Sequence, residues 1–318
     1  MKKVISYLTK KAISIDSNCS VLEAIASMRE NGIGSILVKE GNTTVGIFTE
    51  RDLLNKVYSQ KVLELNSLKV KDVMTTDLKM VNYDEPYTNV IESMQKYHIR
   101  HMPVVKDGQI IGVVSLRDLL DHYYESLEHL LEETVAALSS AVEKRDPYTA
   151  GHQRRVTQLA CAIAKELHLS KKQISGIGMA AIIHDIGKLY VPAEILSKPS
   201  GLNEAELTLI KIHPQIGYDI LKSIEFPWPI AEAILQHHER IDGSGYPQGL
   251  KGDEIILEAR IIAVADVIEA MASHRPYRPA LGINKAIEEV SQKRGLLYDP
   301  KIVDVCLKLF EKNLFTFK

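Results

Sequence analysis

The amino-acid sequence predicts two parts of different class: an α+β N-terminal part built from a duplicated unit, then an all-α helical bundle. Two observations carry this prediction. Shifted by 66 residues, the first third of the chain matches itself, with GIFTERDLL at 46–54 falling on GVVSLRDLL at 112–120. Beyond RDPYTAGH at 145–152, helical periodicity continues with few strand signals.

The elements of each copy follow in one order. An amphipathic helix comes first, SVLEAIASMRENG in one copy and YTNVIESMQKYHI in the other. A short apolar strand follows (GSILVKE, HMPVVKD), then a turn with glycine and a second strand (TVGIF, IIGVV). A helix then begins at ERD or LRD. The copies occupy about 5–58 and 72–123, within an N-terminal part covering 1–123. Each second strand ends on a hydroxyl followed three residues later by a carboxylate: Thr49 and Asp52, Ser115 and Asp118. Two readings of these pairs stay open. The hydroxyl and acid form a capping box. Alternatively, the hydroxyl meets a phosphate at the helix N-terminus while the acid accepts ribose hydroxyls.

From 117 to 144 there is no proline or glycine, and apolar residues recur at helical spacing from Leu120 to Val142. This predicts one connecting helix over 117–145, without the Gly, Ser or Pro of a flexible linker. Thr134 interrupts a strict heptad, so pairing with a second copy through this helix stays an alternative to packing within its own chain.

At 318 residues the chain is long for one domain. A net charge of −2 supplies no electrostatic footprint for nucleic acid or a membrane surface. The three cysteines are far apart and form no CxxC, which argues against a thiolate metal site and fits a reducing compartment. With no apolar run of bilayer length and no signal peptide, a soluble cytoplasmic protein is expected.

The chemistry concentrates in AAIIHDIGKLYVP at 180–192, where His184, Asp185 and Lys188 interrupt a segment that reads as core. A buried ion pair and a metal site both answer the cost of burying charge there. On a continuous helix His184 and Lys188 would share a face, with Asp185 about 100° away. Further donors lie in apolar helical contexts: His152 in GHQRRV, His213 in KIHPQIG, His237 and His238 in LQHHERIDGSGYP, and Asp266 in ARIIAVADVIEAM. Five histidines and two carboxylates so placed point to a metal centre. The adjacent His237 and His238 can address two points a few ångströms apart, and a carboxylate such as Asp185 can bridge two ions. The six other histidines receive no role.

Two resemblances sharpen these readings. The duplicated part, over about 5–123, resembles a tandem pair of CBS domains, which implies an adenine nucleotide as regulatory ligand at Thr49, Asp52, Ser115 and Asp118. Residues 126–318 are similar to the HD-GYP subgroup of HD-domain phosphohydrolases, through HDIGK and a complete HHExxDGxGYP. That resemblance implies a helical domain with iron or manganese that hydrolyses cyclic di-GMP, and a homodimer is expected. It carries over His152, His184, Asp185, His213, His237, His238 and Asp266 as metal ligands, and Arg275, Arg278 and Tyr246 as substrate contacts. Asp185 and Lys188 are the expected catalytic pair: a water acidified at the centre attacks phosphorus in line with the leaving ribose oxygen, and Lys188 neutralises the phosphate or protonates that oxygen. Members with three metals have a glutamate where this chain has Tyr148, so two divalent ions are expected. The alternatives are an HD-type phosphohydrolase for another cyclic dinucleotide or nucleotide, and a non-catalytic sensor acting through a partner protein.

Overall fold

The computed structural model describes residues 9–58, 65–145, 151–198, 200–273 and 280–317. The chain divides into two compact units, 1–128 and 129–318. The first is α+β and the second helical.

In the first unit, strands β1 (Lys10–Lys11) and β2 (Ser14–Asp16) precede helix α1 (Val21–Glu30). Helix α1 opens on a capping box: the Ser20 hydroxyl accepts the Glu23 N–H, and the Glu23 carboxylate accepts the Ser20 N–H. Its buried Val21, Ala24 and Met28 form one stripe at i, i+3 and i+7. That stripe packs with Ile36 and Val38 of β3 (Ser35–Glu40) and Phe48 of β4 (Thr43–Thr49). Burial of a side chain such as Phe48 contributes roughly 1.5–3 kcal/mol. Helix α2 (Glu50–Asp52) continues as a π-helical stretch over Leu53–Tyr58, and α3 (Val70–Val73) follows. The second copy repeats the plan in β5 (Val81–Asn82), α4 (Tyr87–Lys96), β6 (His101–Lys106) and β7 (Gln109–Ser115).

The copies are interlocked. One sheet has the order β2-β3-β4, with β2 parallel and β4 antiparallel to β3. The other has the order β1-β7-β6-β5, so β1, which leads into the first copy, pairs with β7 of the second, Lys10 opposite Val113. Reciprocally, Thr75, which leads into the second copy, bridges to Ile47 of the first. Strands β1, β2 and β5 are two or three residues long, too short for the alternation that marks a strand in sequence.

Helix α5 runs unbroken over Leu116–Arg145. Leu119 lies in the core of the second copy, and Val135 and Val142 lie in the core of the helical unit. That unit then contains α6 (His152–Glu166), α7 (Lys171–Ile182), a 3₁₀ turn (Ile186–Tyr190) and α8 (Ala193–Leu196). Helices α9 (Glu204–Lys211), α10 (His213–Leu221), α11 (Ile230–Gln236), α12 (Leu257–Ala272), α13 (Ile283–Gln292) and α14 (Pro300–Glu311) complete it. The central α12 is apolar around most of its girth and packs against α6, α11, α13 and α14. Among the described residues no helix is long and apolar enough to cross a membrane.

One sequence expectation is corrected here. HDIGK is not on a continuous helix. Helix α7 ends at Ile182, and the backbone tightens into a 3₁₀ turn from Ile186. Gly187 allows that turn to lie against the start of α10. A Cβ at 187 would sit 1.9 Å from the His213 carbonyl oxygen and 2.7 Å from the Gly217 nitrogen. Both are backbone atoms and cannot rotate away. Gly187→Ala should therefore destabilise the helical unit by about 1–3 kcal/mol or more, whereas Gly201→Ala, whose Cβ meets nothing within 4 Å, should stay within about 0.5 kcal/mol of wild type. Thermal unfolding of both variants measures the difference, and equal stability would contradict the close approach.

Candidate functional site

Helix ends build the site. His184 lies just past the end of α7, His237 just past the end of α11, and His213 at the junction of α9 with α10. Each Nδ1 lies against a carbonyl three residues back: His184 to Ala181 at 2.7 Å, His213 to Ile210 at 2.8 Å, His237 to Ile234 at 2.6 Å. A carbonyl only accepts, so each Nδ1 carries the proton and donates it. Each contact gives a helix-end carbonyl a side-chain donor and turns Nε2 toward the cluster.

Those Nε2 atoms converge on Asp185. Its Oδ1 lies 3.4 Å from Nε2 of His213; its Oδ2 lies 3.5 Å from Nε2 of His184 and 3.8 Å from Nε2 of His152. Asp266, projecting from α12, places Oδ1 3.2 Å from Nε2 of His152 and 3.9 Å from Nε2 of His184. Nε2 of His213 faces Nε2 of His237 at 3.3 Å. Two lone pairs opposed at that distance in a buried pocket repel unless a cation lies near both. The ligand atoms form groups lying within 4.8 Å of one another: His152, His184 and Asp266; His213, His237 and His238; and His184, Asp185 and His237. Neutral imidazoles with two carboxylates suit a divalent first-row transition metal.

Electrostatics favour that reading. Burial, opposed by the attraction of Asp185, pushes His213 down to about 4, and burial with neighbouring imidazoles holds His237 and His238 well below the usual histidine range. All three are neutral near pH 7, as metal ligation requires. Burial would raise Asp185, but the Lys188 ammonium and the surrounding histidines keep its carboxyl well below the usual range. Asp266 is held down in the same way by His152. His152 differs: burial would lower it, yet hydrogen bonds to Asp266 and Glu269 raise it to about 9.

Glu269 went unrecognised at the level of sequence. It is buried one turn beyond Asp266 on α12, and its Oε2 meets Nδ1 of His152. Its Oε1 accepts from Arg155 Nε at 2.7 Å and from the Ser273 hydroxyl at 2.6 Å. A second acid at i+3 from Asp266 in an apolar helix was the available signal. Glu239 also has a structural role: its buried carboxylate accepts the backbone N–H groups of Gln248, Gly249 and Leu250 at 2.7–3.2 Å. It thereby ties down the GYP loop. Gly245 lets that loop pass within 2.4 Å, measured from a Cβ built at 245, of the Glu239 Cα. Tyr246 stacks on His238, with ring centroids 4.8 Å apart and planes at 29°.

Two further placements differ from helical expectation. Lys188 does not share a helical face with His184. Across the 3₁₀ turn its Nζ pairs with Asp185 Oδ2 at 2.6 Å. His237 and His238 follow the end of α11 and do not lie within it; their rings are 4.1 Å apart at 41°. Tyr148, Arg275 and Arg278 lie outside the described residues.

In the first unit the two hydroxyl–carboxylate pairs are not equivalent. Both oxygens of Asp52 are engaged: Oδ2 with the Thr49 amide and hydroxyl at 3.0 and 2.7 Å, Oδ1 with the Thr75 hydroxyl at 2.9 Å and Lys56 Nζ at 2.8 Å. This is the full capping box, with the acid only 8% exposed. Asp118 contacts the Ser115 hydroxyl at 2.6 Å and the exposed Lys10 at 3.0 Å, and remains 21% exposed. Thr49 and Asp52 line a cleft of about 380 Å³; Ser115 and Asp118 line one of about 790 Å³ that also takes in Lys10, Lys11, Arg29 and Arg100. His101, which had no role in the sequence reading, lines both.

Comparison with known proteins agrees with this division. The HD domain family model matches residues 136–302, and the CBS domain model matches 4–59 and 70–125. The chain is 41% identical over 197 residues to the cyclic di-GMP phosphodiesterase response regulator RpfG of Xanthomonas campestris, covering 61% of this chain and 52% of that protein. It is 40% identical over 201 residues to a cyclic di-GMP phosphodiesterase of Thermotoga maritima, covering 63% and 54%. It is 40% identical over 184 residues to 3'3'-cGAMP-specific phosphodiesterase 3 of Vibrio cholerae, covering 58% and 39%. The chain thus spans about half the length, or less, of these relatives.

Glu269 contacts the candidate ligand His152 at Nδ1, so if this cluster holds a metal, Glu269→Gln should weaken Mn²⁺ binding about 10- to 100-fold while the fold persists. Calorimetric titration of metal-free protein, with circular dichroism as the fold control, measures this. Unchanged affinity would remove Glu269 from the site.

Proposed function

This chain belongs to the HD-domain family, and we propose on that premise that its helical unit is a metal-dependent phosphodiesterase acting on a 3',3'-cyclic dinucleotide, with cyclic di-GMP as the first candidate. The observation that carries the reading is the opposition of buried Nε2 lone pairs around the two oxygens of Asp185. His152, His184 and Asp266 would hold one ion and His213, His237 and His238 a second, with Asp185 offering one oxygen to each. Tyr148 at the position of a third-metal glutamate supports two ions of iron or manganese. Such ions would supply Lewis acidity, acidifying a water and drawing charge from the phosphoryl oxygens.

The chain's own residues do the positioning. The carbonyls of Ala181, Ile210 and Ile234 orient three imidazoles through Nδ1, and Glu269 orients the ring of His152. Lys188, buried against Asp185, keeps that carboxylate ionised and is the group we assign to the leaving ribose oxygen as proton donor. Arg275, Arg278 and Tyr246 are the substrate contacts of this reading. The similarity to a relative named for 3'3'-cGAMP supports a second purine cyclic dinucleotide as the alternative substrate.

For the first unit we propose regulation by an adenine nucleotide. The larger cleft at Ser115 and Asp118 is the better candidate, because Asp118 keeps an exposed edge beside basic side chains while Asp52 is bound internally at both oxygens.

Two measurements test these proposals. Protein loaded anaerobically with Fe²⁺ or Mn²⁺ should convert cyclic di-GMP to linear product, read by chromatography beside 3'3'-cGAMP. Asp185→Asn should lower the rate by more than the roughly 100-fold expected of an outer-shell change. Loss of metal without loss of hydrolysis would overturn the mechanism. Calorimetry with AMP, ATP and cyclic di-AMP should show binding that Asp118→Asn weakens more than Asp52→Asn, with a change in phosphodiesterase rate worth about 1–3 kcal/mol of coupling. If none of the three nucleotides binds, the regulatory reading falls and the catalytic one stands.

A further inference from the structure

We propose that Lys211 is a specificity residue of this centre, its ammonium receiving the phosphate of a cyclic dinucleotide that is not being cleaved. The inference rests on the cyclic dinucleotide reading above and adds a residue, the first of KIHPQIG, to which the sequence analysis gave no role. Lys211 is the last residue of α9 and is exposed. Its Nζ lies 5.5 Å from the centre of the Tyr246 ring, and that ring stacks on His238. The ammonium therefore sits at the rim of the histidine cluster, separated from it by one aromatic ring.

Its charge is uncommitted. Among the described residues Lys211 makes no ion pair and no hydrogen bond, only this contact with the ring. Among the described residues, Lys188 is buried on Asp185, and Arg240 donates to the Glu239 carbonyl and lies over Tyr298; Arg275 and Arg278, the substrate contacts proposed above, lie outside those residues. A cyclic dinucleotide carries two phosphodiesters in one ring. When one lies among the histidines, the other is held close by at the rim. Partial desolvation of that second anion is unfavourable without a cationic partner. Lys211 supplies one beside Tyr246. A lysine ending a helix is also favoured by the helix dipole alone, but the dipole does not require the ammonium to lie over Tyr246.

The test compares two substrates on the Mn²⁺-saturated 318-residue chain: cyclic di-GMP, with two phosphates, and bis(p-nitrophenyl) phosphate, with one. Lys211→Gln should raise KM for cyclic di-GMP about tenfold, the scale of one hydrogen bond to a charged group. Its kcat and metal content should stay near wild type, and kcat/KM for the single-phosphate substrate should change less than twofold. Lys211→Arg should restore most of the lost affinity, and the salt dependence of KM for cyclic di-GMP should flatten in the glutamine variant. Equal losses on both substrates would make Lys211 a support for the Tyr246 loop and overturn the inference, as would an unchanged KM for cyclic di-GMP. If wild type cleaves the small phosphodiester and no cyclic dinucleotide, the substrate reading itself fails.

Discussion

The helical unit is organised around one constraint: several imidazoles and two carboxylates are buried together, and each must keep one protonation state. The fold meets it with helix ends. Three histidines stand where α7, α9 and α11 stop, and each gives its Nδ1 proton to a carbonyl of the finishing turn. The same contact gives a helix-end carbonyl a side-chain donor and aims Nε2 inward. Helix C-termini also carry partial negative charge, which favours a cation among them. The breaks in the helices are thus the source of the site. A continuous helix through HDIGK would have sent His184 and Asp185 about 100° apart; the turn at 183–185 lets both face the same cluster.

Around that cluster lies a layer whose work is packing and orientation. Glu269 and Arg155 hold His152, Glu239 gathers three amides of the GYP loop, and Gly187 and Gly245 permit backbone approaches that any side chain would block. These residues explain why the motifs are longer than a ligand list. In HHExxDGxGYP the acid and the second glycine serve the loop's shape, and Tyr246 gains its position from the stack on His238. Lys188 is drawn into the same charge balance, since its ammonium offsets Asp185.

The first unit solves a different problem. Two small copies, each with a short sheet and little core, stabilise one another by exchanging their leading segments: β1 completes the sheet of the second copy, and Thr75 bridges to the first. The exchange brings Lys10 to Asp118, while Asp52 receives Lys56 from its own helix and Thr75 from the crossing segment. Near-identical motifs, TERD and SLRD, therefore end in different electrostatic surroundings. Sequence symmetry does not carry over to the two clefts, because their partners come from segments outside the matching stretch.

Read alone, the sequence determined much of this protein. The 66-residue repeat, the breaker-free stretch from 117 to 144 and the helical periodicity beyond it specify the α+β and all-α parts, because periodicity and breakers act locally. The seven candidate ligands were legible too, since histidine and aspartate inside apolar runs are costly without a shared purpose. Tertiary structure alone decided how these residues meet. The stop of α7 before His184, the pairing of Lys188 with Asp185, the hold of Glu269 on His152 and the engagement of both Asp52 oxygens each depend on atoms up to 117 residues apart in sequence or on a turn too short to carry a pattern. Hydrogen bonds are decided over a few tenths of an ångström, and residue spacing along the chain does not resolve that scale.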